Sequence, residues 1–117
     1  MVLLLDNDDD FRAALAANLS DDGHAVWHCA TAAELPPLQS FEALTMLIVD
    51  QQLSGESGLA FADRFHVAHP GVPVVMITAY ESEHLVAEVA RRDFITLRHK
   101  PIDYEEVARL LPVRAGA

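Results

Sequence analysis

Two carboxylates, a hydroxyl and an amine stand at the ends of four short apolar runs in this chain. Asp6 follows Val2-Leu3-Leu4-Leu5, and Asp50 follows Met46-Leu47-Ile48-Val49. Thr78 follows Val74-Val75-Met76-Ile77. Lys100 follows Phe94-Ile95-Thr96-Leu97-Arg98-His99 and precedes Pro101. Such a set suits work on a phosphate beside a metal cation. Carboxylate oxygens suit a hard metal cation, and a hydroxyl and an ammonium suit an anionic phosphate. Each residue alone has an ordinary role. An Asp after a strand serves as a turn or cap residue, Thr suits a strand, and a lysine suits a solvated surface. Their coincidence at four strand ends carries the reading, because ligand chemistry in an open parallel sheet sits at the carboxyl ends of the strands.

The rest of the sequence supplies such a sheet. The run 2–5 is apolar without alternation, as in a strand covered on both faces. Phe11, Ala14, Leu15 and Leu19 recur at helical spacing, and Asp22-Gly23 ends that helix. Residues 25–29 read as a second strand. A helix could begin at 31–35, but Pro36-Pro37 interrupts it. The run 46–49 is the third strand. Ser57 caps a helix burying Phe61, Ala62, Phe65 and Ala68, which His69-Pro70-Gly71 stops. Residues 72–77 form a fourth strand, and Ser82 opens a helix with Leu85, Val86, Val89 and Ala90 on one side. Residues 94–97 form a fifth strand, and Asp103 with Glu106 makes a capping-box-like pair before Val107, Leu110 and Leu111. These are five βα units in one domain, 1–117. Short right-handed connections favour a doubly wound parallel sheet of the α/β class.

The chain has 117 residues, 51% of them hydrophobic, which suits one compact core. No apolar run nears the ~20 residues of a membrane span. The first run ends in acids after Leu5, so no secretory signal is expected. Cys29 is the only cysteine, which excludes an internal disulfide and suits a cytoplasmic location. A formal net charge of −10 repels a nucleic-acid backbone and favours a metal cation or a basic partner. Of the crowded acids, Asp8, Asp9 and Asp10 suit a helix N-terminus, whereas Asp6 does not. His24 and His28 would share a strand face, and His66 and His69 lie three apart on a helix. Neither pair has a third ligand at zinc spacing, so both read as surface or core-edge residues.

The chain resembles the receiver domain of bacterial two-component response regulators over about its whole length. The resemblance rests on Leu5-Asp6-Asn7-Asp8, on Val49-Asp50-Gln51-Gln52-Leu53-Ser54-Gly55-Glu56-Ser57-Gly58, on Thr78-Ala79 and on Lys100-Pro101. It implies a flavodoxin-like (βα)5 fold with strand order 2-1-3-4-5, which sets Asp6 and Asp50 side by side. It implies that Asp50 accepts a phosphoryl group from a phosphohistidine on a sensor histidine kinase or histidine phosphotransfer protein. It also implies that Asp6, Asn7, Asp50 and the backbone carbonyl of Gln52 hold Mg²⁺, that Thr78 bonds a phosphoryl oxygen, and that Lys100 pairs with Asp50 and then with the phosphate. Output would pass through contact with an output domain or target protein, not through nucleic acid or membrane. Such a domain is a phospho-acceptor that assists its own phosphorylation and dephosphorylation, not a turnover enzyme.

The sequence departs from the family pattern at three places. Asn7 stands where a second acid is usual, Ser54 where Pro is usual, and Leu97 where an aromatic three before the Lys reports phosphorylation. Asn7 and Leu97 favour the alternative of a phosphorylation-independent interaction module. Asp50, Thr78 and Lys100 oppose it. A small flavodoxin-like enzyme is disfavoured, because no Gly-rich or Ser/Thr-rich phosphate loop follows the first strand. The end at Val113-Arg114-Ala115-Gly116-Ala117 leaves no room for an output domain, so a stand-alone receiver or a fragment of a larger regulator is expected.

Overall fold

Alternating strands and helices build the molecule, and a computed structural model describes residues 1–112 of it. In chain order these are β1 (Val2–Leu5), α1 (Asp9–Asp21), β2 (Val26–Cys29), β3 (Met46–Val49), α2 (Gly58–Ala68), β4 (Val74–Thr78), α3 (Glu83–Ala90), β5 (Ile95–His99) and α4 (Tyr104–Leu110). All strand pairs are parallel, in the order β2-β1-β3-β4-β5. The residues 113–117 discussed above lie outside the described part.

The strands bury both faces. Leu3, Leu5, Leu47, Val49, Val74 and Met76 pack with Phe61, Phe65, Leu85 and Val89, so α2 and α3 cover one side. Val2, Leu4, Met46, Ile48, Val75 and Ile77 pack with Leu15, Leu19 and Val107, so α1 and α4 cover the other. The alternation along each strand decides which residue meets which layer.

The second helix expected from the sequence does not form. Two single 3₁₀ turns, Ala32–Glu34 and Leu38–Ser40, replace it, on either side of Pro36-Pro37. Proline supplies no N–H and clashes with the preceding turn, so no α-helix can run through that pair. Among the described residues the fold is therefore a five-stranded sheet with four α-helices. The capping box falls here instead: the Glu34 carboxylate accepts from the Thr31 amide at 2.8 Å. Asp103 precedes α4 without a side-chain cap bond, so the expected Asp103–Glu106 box is absent. Ala14, Val86 and Ala90 are exposed, and β5 runs two residues past the expected 97.

The caps read from sequence at Ser57 and Ser82 do form, accepting from Ala60 N at 3.0 Å and Leu85 N at 3.1 Å. Between α2 and α3 the guanidinium of Arg92 forks onto Asp63, with both N–O distances 2.8 Å. That bond holds the Asp63 carboxyl below its ordinary range. The Asp63 side chain is 46% exposed, so solvent screens the pair. Asp63→Asn should therefore cost only about 1 kcal/mol at neutral pH, measured by urea unfolding. A carboxyl with a lowered folded pKa stabilises above its unfolded value of 3.8, and that contribution is lost as pH falls through the folded value. The difference between the two proteins should close in acid below that range.

Candidate functional site

The sheet ladder carries four side chains to one edge. Leu5 pairs with Val49 in register, so the next residues, Asp6 and Asp50, are neighbours beyond the ends of β1 and β3. The amide of Asp50 donates to Leu5 O at 3.0 Å, and that of Lys100 to Thr78 O at 2.8 Å. These bonds continue the ladder past the strand ends and place each functional residue in sheet geometry. Among the described residues three polar side chains are buried: Asp6 is 1% exposed, Asp50 5% and Thr78 0%.

One ammonium joins the two acids. Lys100 Nζ lies 2.9 Å from Asp6 Oδ2 and 3.1 Å from Asp50 Oδ2. The other carboxylate oxygens accept backbone amides, Asp6 Oδ1 from Asp8 at 2.8 Å and Asp50 Oδ1 from Gln52 at 3.1 Å. Both carboxylates are thus held in fixed orientations. Burial raises the pKa of Asp6 against the lowering effect of the Asp8 amide and Lys100. Burial also works against the charge of Lys100, but its hydrogen bonds to Asp6 and Asp50 outweigh that and raise its pKa. The ammonium stays charged, and a buried carboxylate that burial disfavours sits beside it. Such a site favours additional positive charge.

Thr78 Oγ1 accepts from the amide of Tyr80 at 3.1 Å, and the Tyr80 ring is 70% exposed. Asn7 and Gln52 are exposed, one and two residues beyond the buried acids. Asp8 caps α1, accepting from Phe11 N at 3.1 Å, while Asp9 and Asp10 occupy the first helical turn. Leu97 is half-buried against the core layer that includes Leu85 and Val89 of α3.

Arg12, which no sequence motif includes, also belongs to the site, as does Gly58, which the sequence marks only as the end of the acceptor loop. Arg12 donates to Asp6 O at 2.6 Å and pairs with Asp9 at 2.8 Å, which ties α1 to the acidic turn. The i,i+3 spacing from Asp9 was its only sequence signal. At Gly58 an added Cβ would run into the Asp50 carbonyl. Gly58 N donates to Gln51 O at 2.9 Å, so α2 begins hard against the backbone of Asp50. The histidines do not converge on a site. His66 stacks flat on Phe94 at 3.8 Å, His69 bonds Leu38 O at 2.7 Å, and His24 precedes β2 rather than sharing its face. Burial, then the charge of Glu34, pushes the Cys29 thiol up to about 11, so it is no thiolate nucleophile at neutral pH.

For a divalent cation, the donor set is of the right kind. Two carboxylate oxygens already converge on one cationic atom, and hard oxygen donors suit Mg²⁺. Among the described residues no three His, Cys, Asp or Glu side chains gather as a metal site. Two acids therefore leave the remaining positions to neutral oxygens and water, as Mg²⁺ tolerates.

Comparison with known proteins agrees with this geometry. The chain is 28% identical over 102 residues to the response regulator protein FleR of Pseudomonas aeruginosa, covering 87% of the chain but only 22% of FleR. It is 21% identical to sporulation initiation phosphotransferase F of Bacillus subtilis, covering 98% of the chain and 96% of that protein. The structure superposes with a TM-score of 0.84 on a response regulator protein from Burkholderia pseudomallei, at 23% identity, over 96% of this chain and 66% of that one. The family model for the response regulator receiver domain matches residues 2–111. With the sheet order, the paired acids and this match in agreement, the chain belongs to the response regulator receiver domain family of two-component systems.

Proposed function

We propose that this receiver domain takes a phosphoryl group onto Asp50 from a phosphohistidine of a sensor histidine kinase or histidine phosphotransfer protein. The observation that carries this is the convergence of buried Asp6 and Asp50 on Lys100 Nζ, with Thr78 at the same sheet edge. A carboxylate oxygen of Asp50 attacks phosphorus, the P–N bond breaks, and its electron pair returns to the imidazole nitrogen. Lys100 passes from Asp50 Oδ2 to a phosphoryl oxygen. Thr78 gives its hydroxyl hydrogen to another, since the Tyr80 amide uses only its acceptor side. Asp6, Asp50, Asn7 and the carbonyl of Gln52 would hold Mg²⁺, which supplies neutralisation of phosphoryl charge when bound. The Burkholderia pseudomallei relative carries a phosphorylated aspartic acid and a calcium ion, in keeping with this reading. The domain acts in the cytoplasm through contact with an output domain or target protein. Its net charge of −10 argues against direct nucleic-acid binding, and among the described residues no helix is long and apolar enough to cross a membrane.

Incubation with phosphoramidate and Mg²⁺ should add one phosphoryl group by intact mass. A wild type that takes none would leave the phosphorylation-independent interaction module as the function. Asn7 and the half-buried Leu97 are the features that favour that reading.

Asn7 lacks the charge of an acid at that position, so Mg²⁺ binding should be weak. Asn7→Asp should tighten it about tenfold, or ~1.4 kcal/mol, by calorimetry. Unchanged or weaker binding would move the role to Asp8 or remove the metal from the reading.

A further inference from the structure

We propose that Phe11 is a positioning residue for phosphoryl transfer, its ring holding the Lys100 ammonium at the acceptor. The inference rests on the reading of Asp50 as the phosphoryl acceptor. Lys100 Nζ lies 4.2 Å from the centroid of the Phe11 ring while it also contacts Asp6 and Asp50. An ammonium has three N–H donors, and the two carboxylates engage two of them. The ring offers its negative face to the same cation. The Lys100 side chain is only 12% exposed, so little water competes for that place.

The ring is itself held. Phe11 sits in the first turn of α1, its amide bonded to the Asp8 carboxylate at 3.1 Å. The next residue, Arg12, is bonded to the carbonyl of Asp6 at 2.6 Å. The start of α1 is thereby fixed to the acidic turn from both sides, and the ring is fixed with it. Phe11 also lines a small groove of about 120 Å³ with Ala14, Leu15, Ile102, Tyr104 and Val107. Packing there needs an apolar side chain but no π face. The two roles therefore separate chemically.

The ring matters because both carboxylates change partners during the reaction. Asp50 forms a bond to phosphorus, and Asp6 would hold Mg²⁺ when it is bound. Lys100 then loses the contacts that now locate it, at the moment its charge is needed on a phosphoryl oxygen. Neither phosphate nor metal takes up the Phe11 ring, so it retains the ammonium through the exchange.

The test is the rate of phosphoryl uptake from phosphoramidate, by intact mass, across Mg²⁺ concentrations. Phe11→Leu, which keeps apolar bulk in the groove, should slow the rate at saturating Mg²⁺ by roughly three- to tenfold. The Mg²⁺ concentration for half-maximal rate should shift by less than about twofold, since the ring holds the lysine rather than the metal. Phe11→Tyr keeps the π face and should restore the rate. Site-specific replacement of Phe11 by mono-, di- and trifluorophenylalanine weakens the ring face at nearly constant size, and the rate should fall stepwise with fluorine number. That series decides the matter if Phe11→Leu fails to fold. A wild type that takes no phosphoryl group overturns the acceptor reading and this inference together. A wild type that labels, with fluorinated proteins labelling at the same rate, overturns the inference alone and leaves Phe11 as groove packing.

Discussion

Asp50→Asn should take up no phosphoryl group from phosphoramidate under conditions that label the wild type. The amide oxygen carries no charge to attack phosphorus, and no other buried acid at the site is free to take over. Asp6, the one other buried carboxylate among the described residues, has one oxygen on the Asp8 amide and the other on Lys100. Asp8, Asp9 and Asp10 are exposed, with Asp8 capping α1 and Asp9 paired with Arg12. Lys100, the cation that neutralises a transferred phosphoryl group, is bonded to Asp6 and Asp50 instead. The variant should remain folded, because Lys100 keeps Asp6 as a partner and one of two neighbouring negative charges is removed. Circular dichroism and a melting curve would establish that. Labelling of Asp50→Asn at the wild-type level would displace the acceptor from this position. Partial labelling at an exposed acid, located by proteolysis, would show that the pocket contributes little selectivity.

Gly58→Ala should have the largest effect on stability among substitutions outside the apolar core. The new methyl would occupy the space of the Asp50 carbonyl, and its next nearest atoms are also backbone, in Asp50 and Gln51. No side chain can rotate away. Either the start of α2 or the chain around the acceptor must shift, and both are pinned. Gly58 N bonds Gln51 O at 2.9 Å, and Leu59 N bonds the Gln51 side chain at 2.9 Å. Overpacking against backbone of this kind costs about 3 kcal/mol, or roughly 10 °C in melting temperature. Phosphorylation should fall as well, since the displaced atoms carry the Asp50 carboxylate. Ala at the exposed Gly55 meets no neighbour within 4 Å, but the positive φ of 91° there adds a backbone penalty of about 1 kcal/mol. A smaller loss at position 58 than at 55 would mean that α2 can move away from the acceptor.

Much of this fold is legible in local pattern. The apolar runs ending at Leu5, Val49 and Ile77 announce strands covered on both sides, and the structure buries them throughout. Ser57 and Ser82 announce helix starts because a hydroxyl can serve only nearby amides. The positions of Asp6, Asp50, Thr78 and Lys100 at strand ends are legible for the same local reason. A helical start at 31–35 suggests a second complete βα unit, but Pro36-Pro37 admits only two short turns there. The Asp103–Glu106 pair has the right spacing for a box but does not make it, since spacing specifies reach and not the rotamer adopted.

The sequence by itself determined the five strands, four of the helices, the absence of an internal disulfide, and the residue types available to a phosphate site. These depend on periodicity, on proline's missing donor and on side-chain chemistry, all carried within a few residues of chain. Only the tertiary structure decided that Asp6 and Lys100, 94 residues apart, share a hydrogen bond. It also decided that Gly58 is needed to bring a helix against the acceptor backbone, and that Phe11 faces an ammonium rather than only a core. Those contacts arise where parallel strands and two helix starts meet at one sheet edge. Local pattern specifies each element, but the distance between atoms on different elements exists only once the layers have packed.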